Sequence, residues 1–288
     1  MISKRIVLGT VQFGLDYGIN NTQGEIQKGE AFDILKFAHQ NGLDTLDTAA
    51  AYGSAESKLG EFFLENKSFN FKIISKSPPK QKISETALQS SLTKLNIKEL
   101  YGYLAHDFSI FNNDVKLIQK FIDLKKKGLV KKIGFSLYYP NDLKFLLDNN
   151  INFDILQIPY NVFDQRFGDW FNILKERNVE IHVRSCFLQG LVFMDSEKLP
   201  KKLIELTSKL KKLHAISQDT QIPINALCIG FCLSNPSIDK LVLGIDSLED
   251  LKMNVLNVNE NIEKEILDQL YSLKETNEKL ILPVNWQL

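Results

Sequence analysis

Four residues of the chain could together carry out acid–base chemistry on a carbonyl group: Asp47, Tyr52, Lys76 and His106. A carbonyl that accepts a hydride becomes an alkoxide, and a tyrosine hydroxyl can supply the proton that it then needs. The pKa of a free tyrosine is about 10, and a nearby cation such as Lys76 is expected to lower it. Asp47 would keep Lys76 charged and oriented, while His106 would hydrogen-bond the carbonyl oxygen or join the proton relay.

Each of these residues also has an ordinary structural explanation. A lysine at a strand end is usually solvated, an aspartate there usually caps the next turn, and a lone histidine is more often a satisfied core residue. However, the aspartate, the lysine and the histidine close three successive predicted strands, and Tyr52 lies on the adjoining loop. This coincidence favours a joint role. The other histidines, His39, His182 and His214, lie on predicted helices or within a strand and receive no role.

Short apolar segments alternate with helical patterns along the chain, and they predict strands that are buried on both faces of a parallel sheet. The predicted strands are residues 6–9, 43–47, 72–76, 100–106, 131–136, 155–159, 180–184 and 240–244. The predicted helices are residues 29–41, 84–95, 112–127, 142–148, 169–177, 200–217, 225–232, 248–256 and 262–276, with Ser84 as a helix cap. Eight strand–helix units favour a closed (β/α)₈ TIM barrel over an open sheet, and no GxGxxG follows the first strand.

The predicted barrel includes the whole chain in one α/β domain. We expect residues 1–288 to form a single TIM barrel, with its core at about 5–256 and a C-terminal helix and tail at 257–288. Active sites of such barrels lie at the carboxyl ends of the strands. The long segments 14–28 and 190–201 follow predicted strands at that end, and residues 283–286 of the tail are expected to fold over the barrel mouth.

Charge and composition exclude several classes of function. Lysine plus arginine and aspartate plus glutamate both number 35, so there is no overall field to attract nucleic acid or an anionic membrane. No apolar run is long enough to span a bilayer, and the N-terminus has no signal-peptide core. The three cysteines, Cys186, Cys228 and Cys232, are too few for a disulfide framework and are expected to be buried thiols, not metal ligands. We therefore expect a cytoplasmic protein without a metal.

The region around the four polar residues resembles the signature of the aldo-keto reductase superfamily. The resemblance includes residues 43–56 (LDTLDTAAAYGSAE) and 59–60, and it continues at 75–76, 104–106, 131–136, 157–161 and 189–191. It implies a TIM barrel that binds NADP(H) or NAD(H) in an extended form, without a Rossmann domain. It also implies that Tyr52 is the proton donor and that Lys76, Asp47 and His106 support it.

At the cofactor site the resemblance is less complete, because some of the usual residues are replaced. It implies cofactor contacts from Ser136, Gln157, Arg184, Ser185, Phe187, Gln189, Gly190, Gly244, Ile245, Asp246, Ser247, Asp250 and Asn254. Ser136 and Gln157 match positions that hold the nicotinamide carboxamide, but Leu137 replaces the usual asparagine. Arg184 stands where many members stack an aromatic ring on the nicotinamide. A guanidinium there can stack on the ring, bind a substrate carboxylate or phosphate, or form a structural ion pair.

The charges after the last strand bear on the choice between NAD and NADP. Members that prefer NADP(H) usually carry basic residues here for the 2′-phosphate, whereas this chain has Asp246, Glu249 and Asp250 with only Lys252 nearby. Carboxylates repel a phosphate and can accept hydrogen bonds from ribose hydroxyls. The sequence therefore predicts that NAD(H) is used at least as well as NADP(H). Asn254 matches an adenine-binding position, although Met253 replaces the acidic residue that usually precedes it.

We expect a working oxidoreductase that acts on a small-molecule carbonyl substrate, in a monomer or weak oligomer. The alternative is a cofactor-binding regulatory or accessory subunit of the same fold with little turnover. A metal-dependent hydrolase or lyase is disfavoured, because no cluster of histidines and carboxylates falls on the strand ends. Arg184 would suit an anionic or sugar-like substrate. The aromatic residues expected on the mouth loops are Tyr17, Phe108, Tyr138, Tyr139, Phe163 and Phe187.

Overall fold

Short parallel strands pair in chain order, and the last of them pairs with the first, so that they close into a barrel. The computed structural model describes residues 2–111, 116–256 and 262–286. In this part of the chain the strands are β1 (Ile6–Gly9), β2 (Thr45–Asp47), β3 (Lys72–Lys76), β4 (Leu100–Ala105), β5 (Val130–Ser136), β6 (Ile155–Pro159), β7 (Glu180–Arg184) and β8 (Lys240–Leu243). All eight predicted strands are found, and the predicted (β/α)₈ barrel is confirmed.

Helices connect the strands on the outside of the barrel. They are α1 (Lys28–Gln40), α2 (Ala55–Glu65), α3 (Glu85–Leu95), α4 (Leu117–Lys126), α5 (Pro140–Asp148), α6 (Phe171–Glu176), α7 (Thr207–Thr220), α8 (Ile224–Leu233), α9 (Leu248–Leu256), α10 (Lys264–Tyr271) and α11 (Glu278–Ile281). The predicted cap of α3 is confirmed, because Ser84 Oγ accepts a hydrogen bond of 3.2 Å from the Ala87 amide. Residues 112–115 of the predicted helix 112–127 lie outside the described residues.

Several helix predictions need correction. The helix predicted over 262–276 is α10, which ends at Tyr271, and the short α11 was not predicted. Helix α2 was not predicted, although its buried residues Ala55, Leu59 and Phe62 follow the spacing of one helical face. The segment predicted as one helix over 200–217 is instead a 3₁₀ segment (Lys201–Leu206) followed by α7. Pro200 is the N-cap of this segment, and 3₁₀ turns are frequent at the N-termini of α-helices.

The strands are buried on both faces, as parallel strands covered by helices must be. Their outward side chains join the helices in one large apolar core. Inside the barrel a second cluster of Ile74, Leu104 and Ile155 fills the lumen. Gly102 leaves room for it, because a Cβ there would lie 2.8 Å from Cδ1 of Ile155. The lumen is therefore packed, and open space is confined to the ends of the barrel.

The C-terminal tail packs beside the loop that follows β6. The Glu275 amide donates to the Phe163 carbonyl at 2.8 Å, and Arg166 pairs with Glu278 at 2.5 Å. Trp286 is buried, and its indole donates to the Leu280 carbonyl at 3.0 Å. The start of the tail thus lies beside the loop that follows β6, whereas the expected folding of residues 283–286 over the barrel mouth stays a prediction; residues 287–288 lie outside the described part.

Two negative findings apply to the described residues only. No described helix has both the length and the apolar character that crossing a bilayer requires. No group of three or more histidine, cysteine, aspartate or glutamate side chains is arranged there to hold a metal ion. The three cysteines are free and buried, with the sulfur of Cys232 at 4.0 Å from that of Cys186.

A pair of glycine substitutions tests the packing of α2 on α3. Gly60→Ala would place a Cβ 1.9 Å from the Lys94 carbonyl oxygen, so we expect a loss of about 1–3 kcal/mol in the free energy of unfolding. Gly29→Ala in α1 meets nothing within 4 Å and should be neutral or stabilising by up to about 1 kcal/mol. Urea denaturation measures both. Equal stability of the two variants would contradict this packing.

Candidate active site

A buried lysine links the ends of β2 and β3 to the loop that follows β2. Lys76 is 1% exposed, and its ammonium lies 2.5 Å from Asp47 Oδ2, 3.0 Å from the Thr48 carbonyl and 3.2 Å from Tyr52 Oη. An ammonium can only donate, so the Tyr52 oxygen must accept this bond. The phenolic proton of Tyr52 is therefore left to point away from Lys76, towards the cleft that Tyr52 lines.

The backbone after β2 holds Tyr52 in this position. The Tyr52 amide donates to the Ala49 carbonyl at 3.0 Å, which closes a turn directly after the strand. The next residue, Gly53, has a φ of +51°, and a Cβ on it would lie 2.0 Å from the Gly14 carbonyl oxygen. Only glycine fits there. The loop after β1 thus packs directly on the turn that carries the tyrosine.

Gln157 of β6 reaches the same buried carboxylate from across the barrel. Its Nε2 donates to Asp47 Oδ1 at 2.7 Å, and its Oε1 lies 3.5 Å from Ser136 Oγ of β5. Both carboxylate oxygens of Asp47 are therefore hydrogen-bonded, one to Lys76 and one to Gln157. We expected Gln157 to face the cofactor. The structure shows that it hydrogen-bonds Asp47, and its contact with the cofactor stays a prediction.

His106 follows β4 and stands beside Tyr52. The two ring centroids are 5.8 Å apart at an interplanar angle of 85°. Burial lowers the pKa of His106 to about 3, and the charges of Lys76 and Arg184 add to this shift. The imidazole is therefore neutral at neutral pH. Its buried Nδ1 has no hydrogen-bond partner among the described residues.

The direction of the Tyr52 pKa corrects our expectation that Lys76 would lower it. Burial raises the pKa of Tyr52 above its ordinary value, and the negative charge of Asp47 raises it further, whereas Arg184 opposes the rise. Burial also lowers the pKa of Lys76, although Asp47 opposes that shift. With its pKa raised in this way, the Tyr52 hydroxyl keeps its proton at neutral pH.

A cleft of about 640 Å³ opens at the carboxyl ends of the strands. The predicted site residues that line it are Asp47, Tyr52, His106, Ser136, Gln157, Arg184, Ser185, Phe187, Gln189, Gly190, Gly244, Ile245, Asp246, Asp250 and Asn254. Lys76 lies behind Tyr52 and does not line the cleft. Ser247 does not line it either, because its hydroxyl accepts from the Asp250 amide at 3.1 Å at the start of α9.

Several lining residues were missed by the sequence analysis. They are Gly9, Thr10, Val11, Gln12, Gly18, Asn20, Cys186, Phe193, Ser217, Ile224, Asn225, Val242, Leu243 and Met253. Gln12 could have been found, because it follows β1 as the other candidates follow their strands. Its Nε2 donates to Asp246 at 3.1 Å, and its buried Oε1 has no described partner. Asn225 lies on another helix and donates to Asn254 at 3.0 Å, which no local pattern would reveal.

The loops after β1 and β7 meet at the rim of the cleft. The Ile19 amide donates to the Gln189 carbonyl at 3.1 Å, and the Gln189 side chain donates to Tyr17 Oη at 2.9 Å. Of the aromatic residues expected at the mouth, Tyr17, Tyr138 and Phe187 line the cleft. Phe108 and Phe163 are instead buried in the core, and Tyr139 directly precedes α5.

A parallel barrel with a polar cleft at the carboxyl ends of its strands is the architecture of the TIM-barrel enzymes. The family model of the aldo/keto reductase family matches residues 5–275 of this chain, and the chain therefore belongs to that family. This membership supports an oxidoreductase, in agreement with the resemblance in the sequence.

Two distant relatives and one solved structure align with most of the chain. The uncharacterized oxidoreductase YqkF of Bacillus subtilis is 24% identical and aligns over 81% of this chain and 83% of its own length. The NADH-specific methylglyoxal reductase of Escherichia coli is 20% identical over 90% of this chain and 91% of its own. Among solved structures, the holo form of aldo-keto reductase AKR11C1 from Bacillus halodurans has a TM-score of 0.77 at 22% identity, covering 94% of this chain and 92% of its own.

The buried ion pair can be tested through stability. Asp47→Asn would leave the Lys76 ammonium buried without a counter-ion, so we expect a loss of about 3–5 kcal/mol in the free energy of unfolding. Asp33→Asn is the matched control, because Asp33 forms an exposed pair with Lys36 and should contribute about 0–1 kcal/mol. Adding Lys76→Met to Asp47→Asn should recover part of the loss. Denaturation curves on which the two single variants coincide would rule out this role for the pair.

Proposed function

We propose that the protein is an NAD(P)H-dependent oxidoreductase that interconverts a carbonyl group, in an aldehyde, ketone or sugar, and the corresponding alcohol. The observation that carries this proposal is the hydrogen bond from Lys76 to the Tyr52 oxygen. It fixes a neutral phenol at the edge of a cleft, with its proton available to a bound molecule. A dihydronicotinamide, when bound, would supply a hydride to the carbonyl carbon.

The residues of the chain can complete the reaction on the oxygen side. As the carbonyl carbon gains the hydride, the electron pair of the C=O bond moves to the oxygen, and that oxygen takes the Tyr52 proton. The resulting phenolate would lie 3.2 Å from the Lys76 ammonium, which stabilises it. A neutral His106 can donate its remaining N–H to the same carbonyl oxygen. General acid catalysis of this kind contributes about 10²–10⁴-fold.

The shape and polarity of the cleft fit a nicotinamide dinucleotide. Its volume is within the usual range of cofactor sites, and its walls run from Tyr52 to Asn254 on α9. Ser136 lines the cleft beside Gln157, where its hydroxyl can bond the carboxamide. Near the other end, Gly244 and Ile245 lead to the N-terminus of α9, and such a position suits phosphate. The unpaired Oε1 of Gln12 offers a further acceptor to a ligand.

The charges at the end of the cleft near α9 favour NADH. Asp246 and Asp250 line it, and Lys252 is paired with Glu249 at 3.2 Å and does not line the cleft. Burial raises the pKa of Asp246, and the charge of Asp250 adds to the rise. This acidic wall would repel a 2′-phosphate. A small aldehyde is the natural first test substrate, because one relative is named a methylglyoxal reductase with NADH specificity.

A comparison of cofactors tests this choice. We expect kcat/KM for NADH to equal or exceed that for NADPH, because no described cation lines the acidic end of the cleft. Asp250→Asn should raise the efficiency of NADPH relative to NADH, and the exposed Asp33→Asn should leave the ratio unchanged. Steady-state kinetics with both cofactors measure this. A preference of about a hundredfold for NADPH, near 2.7 kcal/mol, would reject the expectation.

The proton-donor role of Tyr52 is tested by removing its hydroxyl. Tyr52→Phe should lower kcat for a test aldehyde by about 10²–10⁴-fold and leave the binding of NADH, followed by its fluorescence, nearly unchanged. Tyr103→Phe is the matched control. The Tyr103 hydroxyl is buried, has no described hydrogen-bond partner and does not line the cleft. Equal rates for the two variants would refute the donor role. Cofactor binding without turnover in the unmodified protein would favour an accessory subunit.

A further inference from the structure

Arg184 is the one cationic side chain among the described residues that line the cleft. The proposed reaction needs no cation at this position, since Lys76 already stabilises the phenolate. We propose that Arg184 binds a carboxylate of the substrate, so that the natural substrates are carbonyl compounds that also carry an acid group. This inference rests on the proposed oxidoreductase function and adds the chemical class of its substrate.

The register of the barrel places Arg184 beside the reacting end of the cleft. Val183 packs outward into the main core, so the alternation along β7 turns Arg184 inward. Gln157 pairs with His182, and Arg184 therefore lies two residues, roughly 7 Å, nearer the mouth than the layer that contains Gln157. Gln157 hydrogen-bonds Asp47, and Tyr52, which shares the Lys76 ammonium with Asp47, lines the same cleft as Arg184.

The guanidinium of Arg184 has no counter-ion among the described residues. Its Nη2 donates to the Leu137 carbonyl at 3.1 Å and its Nη1 to Ser185 Oγ at 3.3 Å. Its Cζ lies 4.3 Å from the centroid of the Tyr138 ring, so one face is stacked. A guanidinium has five N–H donors, and those left over can serve a ligand. The structural ion pair considered from the sequence is therefore not formed within the described residues.

The charge balance of the cleft favours a carboxylate over a phosphate. Lys76 is neutralised by Asp47, and the lowered pKa of His106, about 3, leaves that ring neutral. The reacting end therefore offers a single positive charge on a planar group, which matches the single charge and paired oxygens of a carboxylate. A phosphate dianion would keep one charge without a counter-ion among the described residues of the reacting end. The competing partner for Arg184 is a phosphate of the cofactor, and the experiment separates the two.

The experiment compares acids with their uncharged amides: 4-formylbenzoate with 4-formylbenzamide, and 4-oxobutanoate with 4-oxobutanamide. In the unmodified protein we expect kcat/KM for at least one acid to exceed that of its amide by about 10- to 100-fold, the size of a charge-assisted hydrogen bond. Arg184→Met should bring this ratio close to one with little change in KM for NADH, and any change in turnover that acid and amide share is divided out of the ratio. Arg177→Met, at an exposed position, should leave the ratio unchanged.

A second variant guards against a folding defect. Arg184→Lys keeps the charge without the planar pair of donors, and it should retain part of the preference; thermal melting checks that both variants are folded. Three results would overturn the proposal: no preference for either acid, a parallel loss for acid and amide in Arg184→Met, or a raised KM for NADH with an unchanged ratio. The last result would assign Arg184 to the cofactor.

Direct binding distinguishes failure of this inference from failure of the proposed function. If no carbonyl compound is turned over, the oxidoreductase proposal fails, but titration calorimetry with benzoate and benzamide still probes Arg184. Binding of benzoate to the unmodified protein that is lost in Arg184→Met would keep the carboxylate site. Absence of benzoate binding would reject it.

Discussion

The candidate site depends on one interaction, the burial of the Lys76 ammonium against the Asp47 carboxylate. An isolated charge in this position would be costly, and the pair is tolerated because nearly every donor and acceptor is used. Lys76 donates to Asp47, to a backbone carbonyl and to Tyr52, while the second oxygen of Asp47 accepts from Gln157. The position and the protonation state of the tyrosine follow from this network.

The barrel supplies the constraint that makes such a network possible. Parallel strands end on the same side, so residues far apart in sequence meet at one rim. Gln157 reaches Asp47 across 110 positions of the chain. The packed lumen of Ile74, Leu104 and Ile155 closes the barrel beneath this layer, so the polar groups are covered from below and accessible only from the cleft.

The parts of this arrangement that are periodic or local were predictable from the sequence. Strand ends are marked by short apolar runs, and the residues that follow them, such as Asp47 and His106, could be assigned to one rim. Helix α2 was missed because it begins at Ala55, directly after the turn that contains Tyr52. Its apolar positions overlap the residues that were assigned to the signature segment. Ser247 was assigned to the cofactor by its position, although its hydroxyl caps α9.

Other features depend on tertiary contacts that no local pattern encodes. The pKa of Tyr52 depends on the balance between burial, Asp47 and Arg184, and the sequence reveals only that a lysine is present. The pairing of Asn225 with Asn254 joins two helices. The lack of a described counter-ion for Arg184 likewise required knowledge of every neighbouring side chain.

The strands hold the charged network and the loops shape the cleft, and this separation has an evolutionary consequence. Asp47, Lys76 and Gln157 belong to the strands, whereas part of the cleft wall comes from the two segments after β1 and β7, which touch at Ile19 and Gln189. Mutations in those segments can reshape the pocket while the charged network beneath them stays intact. Related barrels could thus acquire new substrates through drift in two surface segments, without passing through an unstable ancestor.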